Sequence, residues 1–140
     1  MTIATEQVHV GDELPSLERV VTREDVKEYA DASGDQNPLH LNDAAAKAAG
    51  FPGVIAHGMY TMSHLATSIV RWAGDVSALT RLRVQFRAPV FAGETIVAGG
   101  KVIDVQTDRR TATLDVWVTV ERDGKTEYPI RRGVAEIRLA

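Results

Sequence analysis

The sequence contains no cysteine. That excludes a disulfide framework, a thiol nucleophile and a Cys-based zinc site. Histidine is scarce too, at positions 9, 40, 57 and 64, and no two of them form an HExxH pair. No metal site is therefore expected. Long apolar runs are missing: none approaches the roughly 20 residues that cross a bilayer. The opening, MTIATEQVHVGDELP, is polar where a secretory leader would carry an apolar stretch. A cytoplasmic protein without a membrane partner is expected. There is no excess of positive charge either. The net charge is −3, which argues against a general nucleic-acid binder. No linker or repeat interrupts the chain, and 140 residues suit one core, so residues 1–140 are expected to form a single domain.

What is present changes character midway. The first half reads as helices and turns. Thr22 can cap a helix, with Asp25 three positions on in a capping box, and Gly34 suits its left-handed end. LNDAAAKAAG, residues 41–50, reads as a second short helix capped by Asn42 or Asp43 and stopped by Gly50. Residues 57–72 form the most apolar helix. Met59, Met62, Ala66 and Ile69 share one face, extended by Leu65 and Trp72, and charge is absent until Arg71. A helix apolar on most sides is one that its neighbours surround.

After residue 80 the period becomes two. Leu82, Val84 and Phe86 alternate with Arg83, Gln85 and Arg87, and Leu114, Val116, Val118 and Val120 alternate with polar or aromatic partners. ETIVAGGKVIDV reads as a long strand with a bulge or bend at Gly99-Gly100. Asp123-Gly124 is a hairpin turn signal, and VAEIRLA closes the chain as a strand. Several antiparallel strands plus one very apolar helix predict an α+β fold, with the sheet curled around that helix.

SGDQNPLH, residues Ser33–His40, places an aspartate and a histidine around an Asn-Pro bend. With Tyr29 before it and Ala46 after it, this segment resembles the signature of the MaoC-like (R)-specific hydratases, also called hydratase 2. AHGM at 56–59 and RAPVFAGETI at 87–96 resemble two further stretches of that family. Ala32 stands where the family has a larger aliphatic residue, a difference of packing, and Glu94 stands for an aspartate. The resemblance covers nearly the whole chain. It is nearest to the catalytic B-type subunit of actinobacterial (3R)-hydroxyacyl-acyl-carrier-protein dehydratases. It implies a hot-dog fold, with the sheet wrapped around the helix at 57–72. It further implies a homodimer, or a heterodimer with a second hot-dog subunit, and an acyl-CoA or acyl-carrier-protein substrate. No cofactor is implied.

The implied reaction is addition of water across a trans-2-enoyl thioester, or its reversal. It needs a base, a proton relay and a donor for the thioester oxygen. Free histidine titrates near ~6.5 and aspartate near ~3.9, so His40 is the natural proton acceptor and Asp35 its partner on the same water. Pro38 fixes its own φ and holds Asn37 extended, and Asn37 can bond the local backbone. The resemblance assigns the oxyanion donor to Gly58. The assignment suits an amide at a helix start, where N–H groups lack partners and the dipole favours negative charge.

His57 reads as a hydrogen-bonding support for this loop, His64 as a polar position on the helix, and His9 as a surface residue. Ser63 lies in no GxSxG context and is rejected as a nucleophile. Met59, Met62 and Leu65 read first as core and also as one wall of an acyl tunnel. The arginines of the second half suit a basic rim for a phosphate-bearing carrier, though the sequence assigns none of them individually. Two rival readings are a hot-dog thioesterase, which does not need G-D-x-N-P-L-H, and a non-catalytic supporting subunit, which typically lacks the Asp/His pair.

Overall fold

Thr22 ends an extended segment and starts a helix by local hydrogen bonding. Its hydroxyl accepts the Asp25 N–H at 3.0 Å while the Asp25 carboxylate accepts the Thr22 N–H at 3.3 Å. The resulting helix, α1 (Arg23–Ser33), stops at Gly34, whose φ of 81° is the left-handed value glycine adopts without strain. A computed structural model describes all 140 residues. It orders the chain as β1 (Leu17–Val20), α1, α2 (Pro38–Leu41), α3 (Asp43–Ala48), α4 (Gly58–Ala73), β2 (Leu79–Phe86), β3 (Thr95–Gln106), β4 (Thr111–Arg122) and β5 (Lys125–Arg138). Asn42 is the cap of α3, its side chain accepting the Ala45 N–H. The short helix expected within 41–50 is thus present with Asn42 as its cap, and Leu41 before the cap belongs to α2.

The five strands form one antiparallel sheet in the order β1-β3-β4-β5-β2. It wraps around α4, the arrangement expected of a hot-dog fold. Leu114, Val116, Val118 and Val120 of β4 are buried as their alternation predicts, together with Ile96 and Val102 of β3 and Ile130 and Ile137 of β5. The β4–β5 hairpin turns through Asp123 and Gly124, both at positive φ (54° and 74°), as the Asp-Gly pair predicts.

Three expectations are corrected. Gly99 and Gly100 are not a bulge: they pair in regular register with Trp117 and Val116, and the irregularity lies between Val102 and Asp104. The glycines serve close packing, since a Cβ on Gly99 would stand 2.5 Å from the Trp117 indole nitrogen. The buried stripe of α4 is also rotated from the apolar one. It consists of Tyr60, Thr61, His64, Leu65, Ser68, Ile69 and Ala73, whereas Met59 is 56% exposed and Met62, Ala66 and Trp72 are half-buried. Polar residues occupy core positions because the fold gives some of them partners: His64 Nε2 donates to the Leu17 carbonyl at 2.8 Å and so ties α4 to β1. Finally, β5 is twice as long as the VAEIRLA segment. Pro129, Gly133 and Arg132, the last at φ 49°, disguise its first half.

One ion pair fixes the loop between β2 and β3. Arg122 donates to both Glu94 oxygens at 2.9 and 2.7 Å and to the Pro89 carbonyl at 2.9 Å, and its guanidinium lies 4.4 Å above the Phe91 ring. Burial pushes the Glu94 carboxyl up, but Arg122 and the Phe91 N–H outweigh it and hold its pKa below the usual value. A carboxyl lowered in the folded state contributes stability above its unfolded pKa and loses it as pH falls through the folded one. Glu94→Gln is therefore expected to cost about 2 kcal/mol at neutral pH. Urea unfolding should show the two proteins converging as pH drops below the ordinary carboxylate range. Equal stability at pH 7 would remove the buttress from the account.

Candidate active site

Three successive side-chain turns shape Ser33–His40, the first closed by Ser33 Oγ, which accepts the Asp35 N–H at 3.2 Å. The Asp35 carboxylate accepts the Asn37 N–H at 3.2 Å, and the Asn37 side chain accepts the Leu39 N–H at 3.0 Å. Asn37 thereby caps α2, with Pro38 at its first position, where a missing N–H costs nothing. One turn later His40 projects inward, its side chain only 11% exposed, while the Asp35 side chain remains 55% exposed.

His40 Nδ1 lies 2.7 Å from the Ile55 carbonyl oxygen. A carbonyl only accepts, so Nδ1 carries the proton, and the neutral ring presents a lone pair at Nε2. That Nε2 stands 3.9 Å from Asp35 Oδ2. The gap is too long for a direct hydrogen bond, but both atoms can reach one water oxygen at about 2.8 Å.

His57 completes the group. Its Nε2 donates to the Asp35 carbonyl at 3.0 Å, and its ring stacks on His40 with centroids 3.6 Å apart and planes 22° from parallel. Tyr29, the aromatic residue of the sequence signature, packs against its other side, with centroids 5.0 Å apart. His57 is buried, and its Nδ1 has no hydrogen-bond partner. Asp35, His40 and His57 bring potential metal-ligand atoms within 4.8 Å of one another, and two of the ring nitrogens among them already serve backbone carbonyls.

His57 is also the residue that opens α4, so Gly58 is the first helical residue. The Gly58 N–H has no partner within the chain, because the first bonded amides of the helix are those of Tyr60 and Thr61. A Cβ here would press on the Phe86 ring at 3.1 Å. His40 and Gly58 line one cleft of about 330 Å³, together with Ile55, Ala56, Thr61 and Phe86 and the loop residues Arg87–Val90 and Pro129. The structure thus brings together Asp35, Asn37, Pro38, His40, His57 and Gly58. Met59, Met62 and Leu65 stand outside the cleft lining. Leu65 is fully buried on the same side of α4 as Gly58 and Thr61. Sequence reasoning missed Phe86, Thr61 and Pro129. Phe86 carried a signal, being an apolar residue at the end of an edge strand next to the RAPV loop.

His9 is exposed, as expected. His64 is buried against β1, and burial, with Arg19 and Arg71 nearby, lowers its pKa. Ser63 Oγ donates to the Tyr60 carbonyl within its own helix turn.

Sheet, helix and the Asp35/His40 pair together define a hot-dog protein with its polar site at the N-terminus of the wrapped helix. The family described as MaoC like domain matches residues 6–125, and the chain belongs to it. Among solved structures, a MaoC-like dehydratase superposes over 99% of the chain with a TM-score of 0.90 at 36% identity, the match covering 43% of that protein. The (R)-hydratase from A. caviae involved in PHA biosynthesis superposes over 96% of the chain and 99% of its own length, with a TM-score of 0.86 at 25% identity. A curated relative, 3-hydroxyacyl-thioester dehydratase X of Mycobacterium tuberculosis, is 40% identical over 75 residues, which are 54% of the chain and 26% of that protein. The chain spans about a quarter to just under two thirds of the first curated relatives it matches. No helix is long and apolar enough to cross a membrane.

Proposed function

We propose that this chain is an (R)-specific enoyl-thioester hydratase, which in reverse dehydrates (3R)-hydroxyacyl thioesters. The observation that carries the reading is His40 Nε2, fixed as a proton acceptor by the Ile55 carbonyl and held 3.9 Å from Asp35 Oδ2. Family membership and the names of the relatives support it. A thioesterase has no need of this pair, and a supporting subunit would not keep it.

In hydration, a water between Asp35 and His40 gives its proton to His40 Nε2 as its oxygen bonds to Cβ of the enoyl group. The Cα–Cβ π electrons shift toward the thioester, and negative charge grows on its oxygen. The Gly58 N–H, at the positive end of α4, stabilises that oxygen. Cα then takes a proton back from the Asp35/His40 pair, so the enzyme ends as it began. Dehydration runs the same steps backward. Asn37 and Pro38 hold the bend, and His57 holds the Asp35 backbone and the His40 ring. Acyl-CoA and acyl-carrier-protein thioesters both fit the reading. The acyl tail runs inward along α4 past Thr61, with Leu65 as floor and the half-buried Met62 at its side, while Met59, 56% exposed, does not enclose it.

Asp35→Asn and His40→Gln are each expected to fold and to lose about 10²–10⁴-fold in turnover of an enoyl thioester, followed by loss of the conjugated-thioester absorbance. The double variant should be little worse than either, because members of one unit do not add. Near-wild-type turnover in both single variants would sink the assignment. Met62→Ala should extend the usable acyl length, and an unchanged chain-length profile would leave this helix as core alone. Strand β2 pairs on one side only, and such an edge invites a second strand. A homodimer or a pairing with a second hot-dog subunit is expected, and sedimentation of an active monomer would contradict it.

A further inference from the structure

The cleft holds one permanently charged side chain, Arg87, which lines it beside Ala88, Pro89 and Pro129. Of the twelve arginines, Arg19, Arg23, Arg81 and Arg122 face carboxylates, and among the eight that do not, Arg87 is the one that lines the cleft. The exposed side chain of Arg87 faces none, and it makes no hydrogen bond within the chain. Carboxylates are not in short supply, since the sequence has 19 acidic residues against 16 Lys and Arg. Arg131 repeats the pattern. It stands opposite Gln85 in the β2–β5 register, two positions from Arg87, and its guanidinium lies 5.0 Å above the Tyr128 ring with no acid in ion-pair range. The Arg87 N–H donates to the Pro129 carbonyl at 2.9 Å, which joins the two segments at the lip of the cleft. Pro129 forms the inner wall there. The neighbouring residues of the same strand, Tyr128, Arg131 and Arg132, line a separate groove with Trp117, where Asp115 is the one acid.

We propose that Arg87, assisted by Arg131 two residues beyond Pro129 on the adjoining strand, binds the phosphate at the far end of the pantetheine arm on which the thioester substrate is carried. This rests on the thioester reading of the site. A phosphate is the partner a guanidinium fork matches best, through paired charge-assisted hydrogen bonds. Both coenzyme A and an acyl carrier protein present that phosphate at the same remove from the thioester. An arginine without an internal acid is free to meet it, and binding releases no existing ion pair.

The test compares crotonyl-CoA, a crotonyl carrier protein and crotonyl-pantetheine, which has the same arm without the phosphate. The readout is the ratio of kcat/KM on each phosphorylated substrate to that on crotonyl-pantetheine. Arg87→Gln is expected to lower this ratio about tenfold, mainly through KM, and Arg131→Gln to lower it less. Arg87→Lys should restore part of it as a point charge. A fall on both carriers supports the proposal, and a fall on one supports it and identifies the carrier. A ratio unchanged within twofold on both overturns it. If the wild-type protein turns over none of the three, the hydratase reading fails, and calorimetric titration decides this proposal alone. Coenzyme A binding more tightly than pantetheine, and about tenfold more weakly to Arg87→Gln, would support it. Equal binding of the two ligands would overturn it.

Discussion

The site depends on a short strip of backbone, Val54–Ala56, stitched on both sides. Toward the SGDQNPLH segment, the Ile55 carbonyl accepts from His40 Nδ1 at 2.7 Å and the Ile55 N–H donates to the Leu39 carbonyl at 3.0 Å. Toward the cleft loop, the Ala56 N–H donates to the Val90 carbonyl at 2.8 Å, and Val54 accepts from the Ala92 N–H at 3.2 Å. The strip then runs straight into His57 and Gly58. One extended segment therefore sets the His40 tautomer, the wall of the cleft and the start of α4. A shift in any of the three moves the others.

The far side of the cleft is held just as firmly. Glu94, Arg122, Phe91 and Pro89 form one network, and Val21 locks the same loop from the other direction by exchanging backbone bonds with Gly93 and Glu94 at 2.6 and 2.8 Å. Every one of these bonds ends on the backbone or side chains that carry Arg87–Val90 or follow them. The ion pair is partly buried, so its worth comes from geometry: the paired bonds and the carbonyl cap leave few polar atoms unsatisfied.

Much of this was legible in the sequence, for identifiable reasons. The α1 cap, the Asp-Gly hairpin and the β4 alternation are local, and local chemistry survives folding unchanged. The SGDQNPLH bend was legible because each of its turns is closed by its own side chains. What escaped reading depends on distant partners. Thr61, His64 and Ser68 count as polar in any periodicity, yet they lie in the buried stripe of α4, His64 because the Leu17 carbonyl awaits it 47 positions away. Gly99 looked like a bend, because nothing nearby reveals that Trp117 needs its space. The four residues of β1 are too few to show a period. Phe86 escaped as a site residue because its ring meets Gly58 only after β2 has folded beside α4.

Asp35 and His40 are unequally exposed. His40 is nearly enclosed, clamped at Nδ1 and stacked on His57, which itself rests on Tyr29. It has one free nitrogen and no room to turn. Asp35 has the opposite character: its backbone is pinned by His57, but its carboxylate is more than half open to solvent. The site is thus open to solvent on the Asp35 side, while the cleft beside Gly58 is lined mostly by apolar side chains. In the proposed hydration, an apolar approach for the thioester and a polar approach for water would meet at Nε2 of His40. On that reading the imidazole takes a proton from water on one side with the substrate on the other.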